Sequence, residues 1–281
     1  MTVPEFDAPG FFYMSNEYIF KPIGTVRTAG KYRFEAPRQG VFSTADGVLE
    51  LLPEYGGDAI ADLAGFDRIW LIFCFHLNVG HTWKSKVRPP FPADGVCRSL
   101  FATRSPYRVN PIGLSCAEIV AVESRRILLR GIDLLDGTPV LDIKPYIPEA
   151  DSFPDSAVGW RNVPDAGGLW QVVPTVEFTR RAEAVRKLAA LDLANFCRVQ
   201  LCRSPLDASR KRLYPQVDGS WELGCRTWRI GFTCDDAAQV VTLLSVKSNY
   251  TAAELYPETD DRYADKDFHR EFLKIFPETG S

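Results

Sequence analysis

The sequence predicts a mostly β protein, in which a small β-barrel domain over residues 17–178 precedes a smaller α+β domain over residues 179–281. In the first half, short apolar or alternating runs are separated by turn residues at the spacing of strands. No helical pattern of ten or more residues separates these runs, so a closed sheet is favoured over a doubly wound Rossmann sheet. Residues 148–175, rich in Pro, Asp, Gly and Ser, are predicted to form the seam between the two domains.

Seven strands are predicted in the first domain. The run Ile69–Phe75 is apolar without alternation, which is typical of a central strand that is covered on both faces. The run that begins at Leu114 alternates between its two faces less cleanly. The predicted strands are Tyr18–Val26, Val48–Leu52, Arg68–Phe75, Leu100–Thr103, Leu114–Val122, Ile127–Leu129 and Val140–Ile143.

The second domain is predicted to mix helices with a β-hairpin. Apolar residues of its first helix recur at three-and-four spacing, as they do in an amphipathic helix. Thr251 and Glu254 have the spacing of a capping box, which predicts a further short helix in the acidic tail. The other elements are predicted at Arg180–Ala190, Leu193–Leu201 and, for the hairpin, Thr227–Cys234 with Gln239–Lys247.

The composition is that of a globular protein, with 46% hydrophobic residues. The longest apolar run, Ile69–Phe75, is too short to cross a bilayer, and the start of the chain lacks the pattern of a signal peptide. We therefore expect a cytoplasmic protein with no membrane partner. Seven cysteines without C-x-x-C spacing predict free thiols. The spacing of Cys74, His76 and His81 matches no familiar metal site, so no metal is expected.

Charge is unevenly distributed along the chain, although the net charge is only −3. Residues 84–108 contain six basic side chains and one acidic one, whereas residues 251–281 contain eight acidic and four basic ones. The basic middle suits a polyanionic partner, but a solvated surface would have the same composition. Both interpretations remain open at this point.

The familiar catalytic motifs are missing. The chain contains neither G-x-G-x-x-G after a strand nor G-x-x-x-x-G-K-[ST], so the usual nucleotide cradles are absent. It also lacks G-x-S-x-G, the nucleophile elbow of serine hydrolases. Methyl transfer from a sulfonium fits what remains, because that donor is already activated and catalysis depends mainly on holding the reactants in line.

Residues 101–146 form the most informative stretch, since two polar, turn-punctuated blocks in it combine charged and aromatic side chains with proline and glycine. At these and other blocks the chain resembles the TsaA-like, or TrmO, family of tRNA methyltransferases. The resemblance covers roughly residues 18–180. It rests on Pro22-Ile23-Gly24, Ala36-Pro37-Arg38-Gln39, Phe75-His76, Val87-Arg88-Pro89-Pro90, Phe101-Ala102-Thr103-Arg104-Ser105, Asn110-Pro111-Ile112-Gly113 and the segment Asp133–Tyr146.

The resemblance implies an S-adenosyl-L-methionine enzyme built on a β-barrel, usually a homodimer with the cofactor near the subunit contact. Its implied substrate is tRNA, methylated at N6 of threonylcarbamoyladenosine beside the anticodon. Guanidinium groups at positions 38 and 104 suit the carboxylate of the cofactor, Asp133 suits its ribose hydroxyls or amino group, and Phe75 and Leu114 could flank its adenine. The implied cofactor contacts are Pro37, Arg38, Gln39, Phe75, His76, Arg104, Leu114, Ile132 and Asp133.

The sequence identifies the residues that contact the methyl acceptor less clearly than those that contact the cofactor. The N6 proton of an N-acylated adenine is lost more easily than that of adenine, so a weak base suffices. Three residues are expected to position the substrate or remove this proton: Asp136, Lys144 and Tyr146. Arg108 and Asn110 are expected to contact the modified base or the anticodon loop, and the tRNA phosphates are assigned to Lys84, Lys86 and Arg88.

Two other functions stay open. In the second domain the chain departs from the family pattern, because Arg210, Lys211 and Arg212 stand where the family commonly has a motif that contacts tRNA. This departure would suit a barrel methyltransferase that acts on another acceptor. A non-catalytic RNA-binding or adaptor protein would also keep the barrel.

Overall fold

The computed structural model describes residues 18–37, 39–90, 95–161, 168–208, 211–256 and 259–277. Its first half is a closed, six-stranded antiparallel barrel with the strand order β1-β2-β7-β6-β3-β8, and the predicted fold class is confirmed. Two short strands, β4 and β5, form a separate ribbon. The strands are β1 Gly24–Thr28, β2 Asp46–Leu51, β3 Arg68–Cys74, β4 Lys86–Val87, β5 Arg98–Ser99, β6 Ile112–Val122, β7 Arg126–Arg130 and β8 Thr138–Pro145.

The barrel core is filled by alternate side chains of every strand. In β3 the inward residues Ile69, Leu71 and Phe73 are buried, whereas on the outer face Arg68 is exposed and Trp70, like the positions after it, is half-buried. The expectation that both faces of this strand are fully covered is therefore wrong. Period-two burial is what a barrel strand requires, because one face lines the core and the other faces outward.

Two predicted strands differ from the structure. The first begins at Gly24 instead of Tyr18, and the apolar residues Tyr18, Ile19 and Phe20 are exposed outside the barrel. The segment Leu100–Ala102 forms a single 3₁₀ turn. The hydroxyl and the backbone N–H of Thr103 both donate to the carbonyl oxygen of Leu100, at 2.7 and 3.0 Å. These hydrogen bonds within the turn take the place of hydrogen bonds to a neighbouring strand.

The second half is an α+β unit, as predicted. A five-stranded sheet with the order β10-β11-β12-β13-β9 packs against the helices, and β9 runs parallel to β13. The predicted hairpin corresponds to β12 and β13, which pair antiparallel. A single helical turn, α1 Pro148–Asp151, follows β8, and its Asp151 accepts from the indole N–H of Trp70 on β3. The elements of the second half are β9 Gln171–Pro174, α2 Val176–Ala189, α3 Leu193–Leu201, β10 Leu213–Pro215, β11 Trp221–Cys225, β12 Trp228–Asp235, β13 Val240–Ser248 and α4 Lys266–Ile275.

Helix boundaries follow their caps. The side chain of Thr175 accepts from the N–H of Phe178 and starts α2 four residues before the predicted Arg180, and α3 has its predicted bounds. Thr251 and Glu254 make the predicted reciprocal contacts, at 2.8 and 3.3 Å, but residues 252–255 form turns, and the helix of the acidic tail, α4, begins only at Lys266. The sequence has proline at position 257, which a helix starting at Thr251 would place in its interior.

Residues begin to pack in the core of the second domain before the predicted domain boundary at residue 178. Strand β9 hydrogen-bonds to β13, and Phe178 is buried in the second core.

Within the described part of the chain, no helix has both the length and the apolar content that crossing a bilayer requires. All seven cysteines are free thiols, as predicted.

Gly24 is required by close backbone packing between β1 and β2. A Cβ at this position would lie 2.4 Å from the carbonyl oxygen of Glu50. We expect Gly24→Ala to destabilise the protein by about 1–3 kcal/mol, because the strands must separate. Gly65→Ala, where nothing lies within 4 Å of the added Cβ, is the matched control. Urea unfolding measures both variants, and equal midpoints would contradict this account.

Candidate active site at one end of the barrel

Three connections of the barrel leave from the same end, where β1, β3 and β7 finish and β2, β6 and β8 begin. This loop end carries residues 29–45, 75–111 and 131–137. The register places Thr28 opposite Gly47 and Cys74 opposite Ile112 at this end. Nearly all of the predicted site residues lie on these connections, so folding brings together segments that are far apart in sequence.

Asp133 is the polar centre of the loop end. The hydroxyl of Ser115 donates to its Oδ1 at 2.5 Å, and the backbone N–H of Gly40 also donates to this carboxylate. The charge of Arg104 acts on the same group. One residue from each of the first two connections and one from β6 therefore converge on Asp133, which belongs to the third.

Burial raises the pKa of Asp133 above its ordinary value, and this effect outweighs the opposing hydrogen bonds from Ser115 and Gly40 and the charge of Arg104. A half-buried carboxylate of this kind is costly to ionise without a partner. It is therefore suited to receive a cation or a pair of hydroxyl groups.

Gly40 can approach Asp133 because it also packs against Gly131. A Cβ on Gly40 would lie 2.4 Å from the carbonyl oxygen of Gly131, which itself has a φ of +70°. A left-handed conformation of this kind favours glycine. The first and third connections can thus meet only where neither residue carries a side chain.

His76 and Asp136 lie together beside this centre. Burial lowers the pKa of His76, and the charge of Asp136 opposes this shift. Asp136 is held by the end of β1 and the first connection, since its Oδ1 accepts from the N–H of Thr28 at 3.2 Å and its own N–H donates to the carbonyl oxygen of Gly30 at 2.7 Å. At neutral pH His76 is therefore a neutral imidazole beside a carboxylate.

Phe75 is fixed where β3 ends. Its N–H donates to the carbonyl oxygen of Pro111 at 2.7 Å, and its ring meets Phe73 edge-on at 4.9 Å. Leu114 projects from the outer face of β6 and is 61% exposed, so its side chain is available as an apolar wall. Both predicted adenine contacts are thus accessible near the loop end.

The remaining predicted cofactor contacts differ in accessibility. Pro37 is half-buried, and Gln39 precedes the 3₁₀ turn that begins at Gly40. Arg38 lies outside the described residues. Ile132 is 1% exposed and packs in the barrel core, so only its backbone can reach a ligand.

The loop that carries Arg104 is braced by its own side chains. Arg108 donates to the carbonyl oxygen of Thr103 at 3.0 Å and lies over the ring of Phe101. Trp160 donates from its indole nitrogen to Ala102 at 2.9 Å. Arg108 therefore shapes the loop in addition to its predicted contact with the base, while Asn110 is exposed on the same loop.

Lys144 and Tyr146 do not join Asp136 within one chain. Six residue steps along β8 separate Thr138, at the loop end, from Lys144, which is about 20 Å at the rise of a strand. Lys144 instead pairs with Asp142 at 3.0 Å, and the ring of Tyr146 lies 5.7 Å from that of Trp70. Lys144 and Tyr146 therefore lie away from Asp136 of the same chain.

Of the basic residues predicted to contact tRNA, some are exposed on the surface and others hydrogen-bond to the backbone of the second domain. The three predicted phosphate contacts are exposed around the β4–β5 ribbon. In the second domain, Lys211 donates to backbone carbonyls that include Ser204, and Arg212 donates to the carbonyl oxygen of Arg226. Arg210 lies outside the described residues. The phosphate candidates are Lys84, Lys86 and Arg88.

Sequence reasoning missed Ser115, although a signal was present. On β6 the inward positions include Gly113, Ser115 and Ala117, so a serine occupies a position that faces the interior of the barrel. A polar side chain at an inward position of an alternating strand requires a hydrogen-bonding partner. Here that partner is Asp133.

The fold and the site define a strand-rich, non-Rossmann enzyme domain followed by an α+β domain. The family model of the tRNA-methyltransferase O N-terminal domain matches residues 25–152. The tRNA (adenine(37)-N6)-methyltransferase of Escherichia coli K12 is 37% identical over 207 residues, which cover 70% of this chain and 85% of that protein. The chain therefore belongs to the tRNA-methyltransferase O family, which confirms the resemblance.

Two further similarities agree with this membership. The S-adenosyl-L-methionine-binding protein of Archaeoglobus fulgidus is 41% identical over 133 residues, or 47% of this chain and 92% of that protein. A crystal structure of TrmO has a TM-score of 0.59 at 30% identity, and the match covers 82% of this chain and 99% of that one. The fold similarity extends beyond the barrel, since the family model covers less than half of the chain.

The raised pKa of Asp133 has a consequence for stability. A carboxyl group whose pKa is raised in the folded state stabilises the protein below its ordinary value of 3.8, and this contribution is lost as pH rises through the folded-state pKa. At pH 7 the ionised group therefore costs free energy. We expect Asp133→Asn to raise the free energy of unfolding at pH 7, because the amide removes the buried negative charge.

This gain should shrink as pH falls through the raised folded-state pKa and disappear below the ordinary value of 3.8, where the carboxyl group is protonated in both states. Urea denaturation over a pH series measures it. Asp155→Asn, which changes an exposed carboxylate, is the control and should leave stability nearly constant. A neutral-pH loss of stability in Asp133→Asn would contradict this assignment.

Proposed function

We propose that this protein methylates N6 of adenosine 37 in tRNA with S-adenosyl-L-methionine as donor, and that its substrate carries the threonylcarbamoyl group. The observation that carries the proposal is the 37% identity to the Escherichia coli tRNA (adenine(37)-N6)-methyltransferase over 85% of that protein. The gathering of Asp133, Arg104 and Gly40 at the loop end supports it. A cytoplasmic location, where tRNA is found, goes with this proposal.

The loop end fits the chemistry of the cofactor. S-adenosyl-L-methionine presents an ammonium group, ribose hydroxyls and a carboxylate. The half-buried carboxylate of Asp133 matches the first two, and the exposed guanidinium of Arg104 matches the third. Phe75 and Leu114 offer apolar surface to the adenine.

When bound, the cofactor supplies an activated methyl group. The residues of the chain then act by placement, because in-line geometry provides much of the rate enhancement. His76 remains neutral since burial lowers its pKa, so no imidazolium repels the sulfonium. Asp136, anchored to the N–H of Thr28, is our candidate to accept the N6 proton.

We further propose that a homodimer completes the site. Lys144 and Tyr146 are about 20 Å or more along β8 from the loop end of their own chain. The exposed apolar side chain of Ile147 follows them directly in the chain. A second copy docked on this face would deliver its own Lys144 and Tyr146 to the loop end of the first.

For the tRNA itself, the exposed Lys84 and Lys86 on the β4–β5 ribbon, with Arg88 beside them, supply positive charge next to the loop that carries Arg104. Contacts of this kind position the RNA backbone without reading its sequence.

The function is tested by tritium transfer from S-adenosyl-L-methionine to tRNA that carries threonylcarbamoyladenosine 37. We expect label in this tRNA and none in an unmodified transcript. Arg104→Ala should weaken cofactor binding about 10- to 100-fold in calorimetry, because a charged hydrogen bond is lost. Arg126→Ala, which breaks an exposed pair with Glu123 at the opposite end of the barrel, is the control.

Three outcomes would count against the proposal. Cofactor binding without transfer to either tRNA would favour another acceptor. No cofactor binding by a folded protein would favour a non-catalytic RNA-binding role. Wild-type affinity in Arg104→Ala would remove Arg104 from the site.

The composite site is tested by mixing inactive variants. We expect Asp136→Asn and Lys144→Ala each to lose activity, and subunits exchanged in equal amounts to recover about a quarter of it, since half of the dimers would be mixed with one intact site each. Asp136→Asn mixed with Asp133→Asn is the control, because both residues lie at the loop end of one chain. No recovery in the first mixture would exclude a shared site.

A further inference from the structure

The second domain holds the first connection of the barrel, residues 29–45, which carries Pro37 and Gly40. The side-chain oxygen of Asn195, on α3, accepts from the N–H of Thr44 at 2.8 Å. Arg198, on the same helix, donates to the carbonyl oxygen of Phe42 at 2.7 Å. The connection is thus fixed from outside the barrel as well as from its own strands.

The strongest of these contacts is a buried ion pair between Arg226 and Glu35. Nε of Arg226 donates to Oε1 of Glu35 at 2.5 Å, and Nη2 donates to Oε2 at 2.9 Å. The two residues are only 6% and 8% exposed. This two-pronged geometry fixes the direction of both side chains in addition to their distance.

Glu35 also organises the connection itself. Its Oε2 accepts from the N–H groups of Lys31 and Tyr32 at 2.8 and 3.1 Å, which closes a turn in residues 31–35. The guanidinium of Arg226 lies 4.9 Å from the centre of the Tyr32 ring. One carboxylate therefore joins the local turn to the second domain, two residues before Pro37.

Arg226 is presented by a constrained hairpin turn between β11 and β12. Its φ is +49°, a left-handed conformation that costs free energy in a residue other than glycine. Arg212 donates to its carbonyl oxygen at 3.0 Å, and the hydroxyl of Thr227 donates to Asp265 at 2.5 Å. Contacts to neighbouring elements on both sides of the turn keep Arg226 aimed at the barrel.

The guanidinium of Arg226 keeps its charge in this buried position. Burial acts to lower the pKa of Arg226, but the hydrogen bonds and charge of Glu35 raise it above its usual value overall. A buried pair of this kind is costly to break, because the remaining charge would lie in a low-dielectric environment without its partner.

We infer that Arg226 is a positioning residue for the methyl-donor site: through Glu35, it fixes the turn of residues 31–35, and with it the connection that brings the N–H of Gly40 to Asp133. This inference rests on the proposed function. Without the pair, the connection would spend part of its time in other conformations, and the apparent affinity for the cofactor would fall in proportion.

The test compares Arg226→Met, Arg226→Lys and Glu35→Gln with the wild type, using calorimetry with S-adenosyl-L-methionine. We expect Arg226→Met and Glu35→Gln to bind about tenfold more weakly, as if the competent conformation fell to a tenth of the population. Arg226→Lys, which keeps the charge but not the fork, should lie between them and the wild type. Arg186→Met is the control, because it removes an exposed interdomain pair with Asp46, outside the connection.

A second readout does not need the cofactor. The connection contains three trypsin sites, at Lys31, Arg33 and Arg38. Cleavage there should be faster in Arg226→Met and Glu35→Gln than in the wild type and unchanged in Arg186→Met. If Arg226→Met does not fold, Arg226→Lys and Glu35→Gln provide the same comparison.

Cofactor affinities within twofold of the wild type in the folded variants would overturn the inference while leaving the proposed function intact. Absence of cofactor binding in the wild type would instead refute the proposed function and, with it, a role in donor binding. Unchanged trypsin cleavage in all variants would show that Arg226 does not hold the connection.

Discussion

Closure of the barrel through the β1–β8 pair is the constraint on which the rest of the structure depends. This pair aligns Val26 with Thr138 and Gly24 with Val140, so the antiparallel ring has no free edge. In such a ring every second connection emerges at the same end. The three connections of the loop end therefore meet, and Gly40, Ser115 and Asp133 come within hydrogen-bonding reach although almost a hundred residues separate the first from the last.

The loop end carries features that a purely structural surface has no need for. Asp133 is kept half-buried at a cost to its ionised form, and two glycines are required where the first and third connections touch. Stability is commonly sacrificed at binding sites in this way. The second domain compensates for part of this loss of stability. Its buried Glu35–Arg226 pair orders the first connection, which the barrel strands β1 and β2 hold only at its ends.

Where prediction from sequence was wrong, the cause lay in information that local pattern does not carry. Leu100–Thr103 is apolar enough for a strand, but the Thr103 hydroxyl closes a turn instead. Thr251 and Glu254 form their capping contacts without a helix. Lys144 and Tyr146 are close to Asp136 in sequence, yet an extended strand converts that closeness into distance.

The sequence by itself determined the mostly β class, helix α3 and the later hairpin, since these follow from period and capping within short windows. It also determined the family, through motif blocks whose order is independent of geometry. Only the tertiary structure decided that Ser115 faces Asp133, that Ile132 is core, and that Arg226 reaches Glu35 across 191 positions of sequence. Such pairings depend on strand register and barrel closure, which are properties of the whole chain and of no single segment.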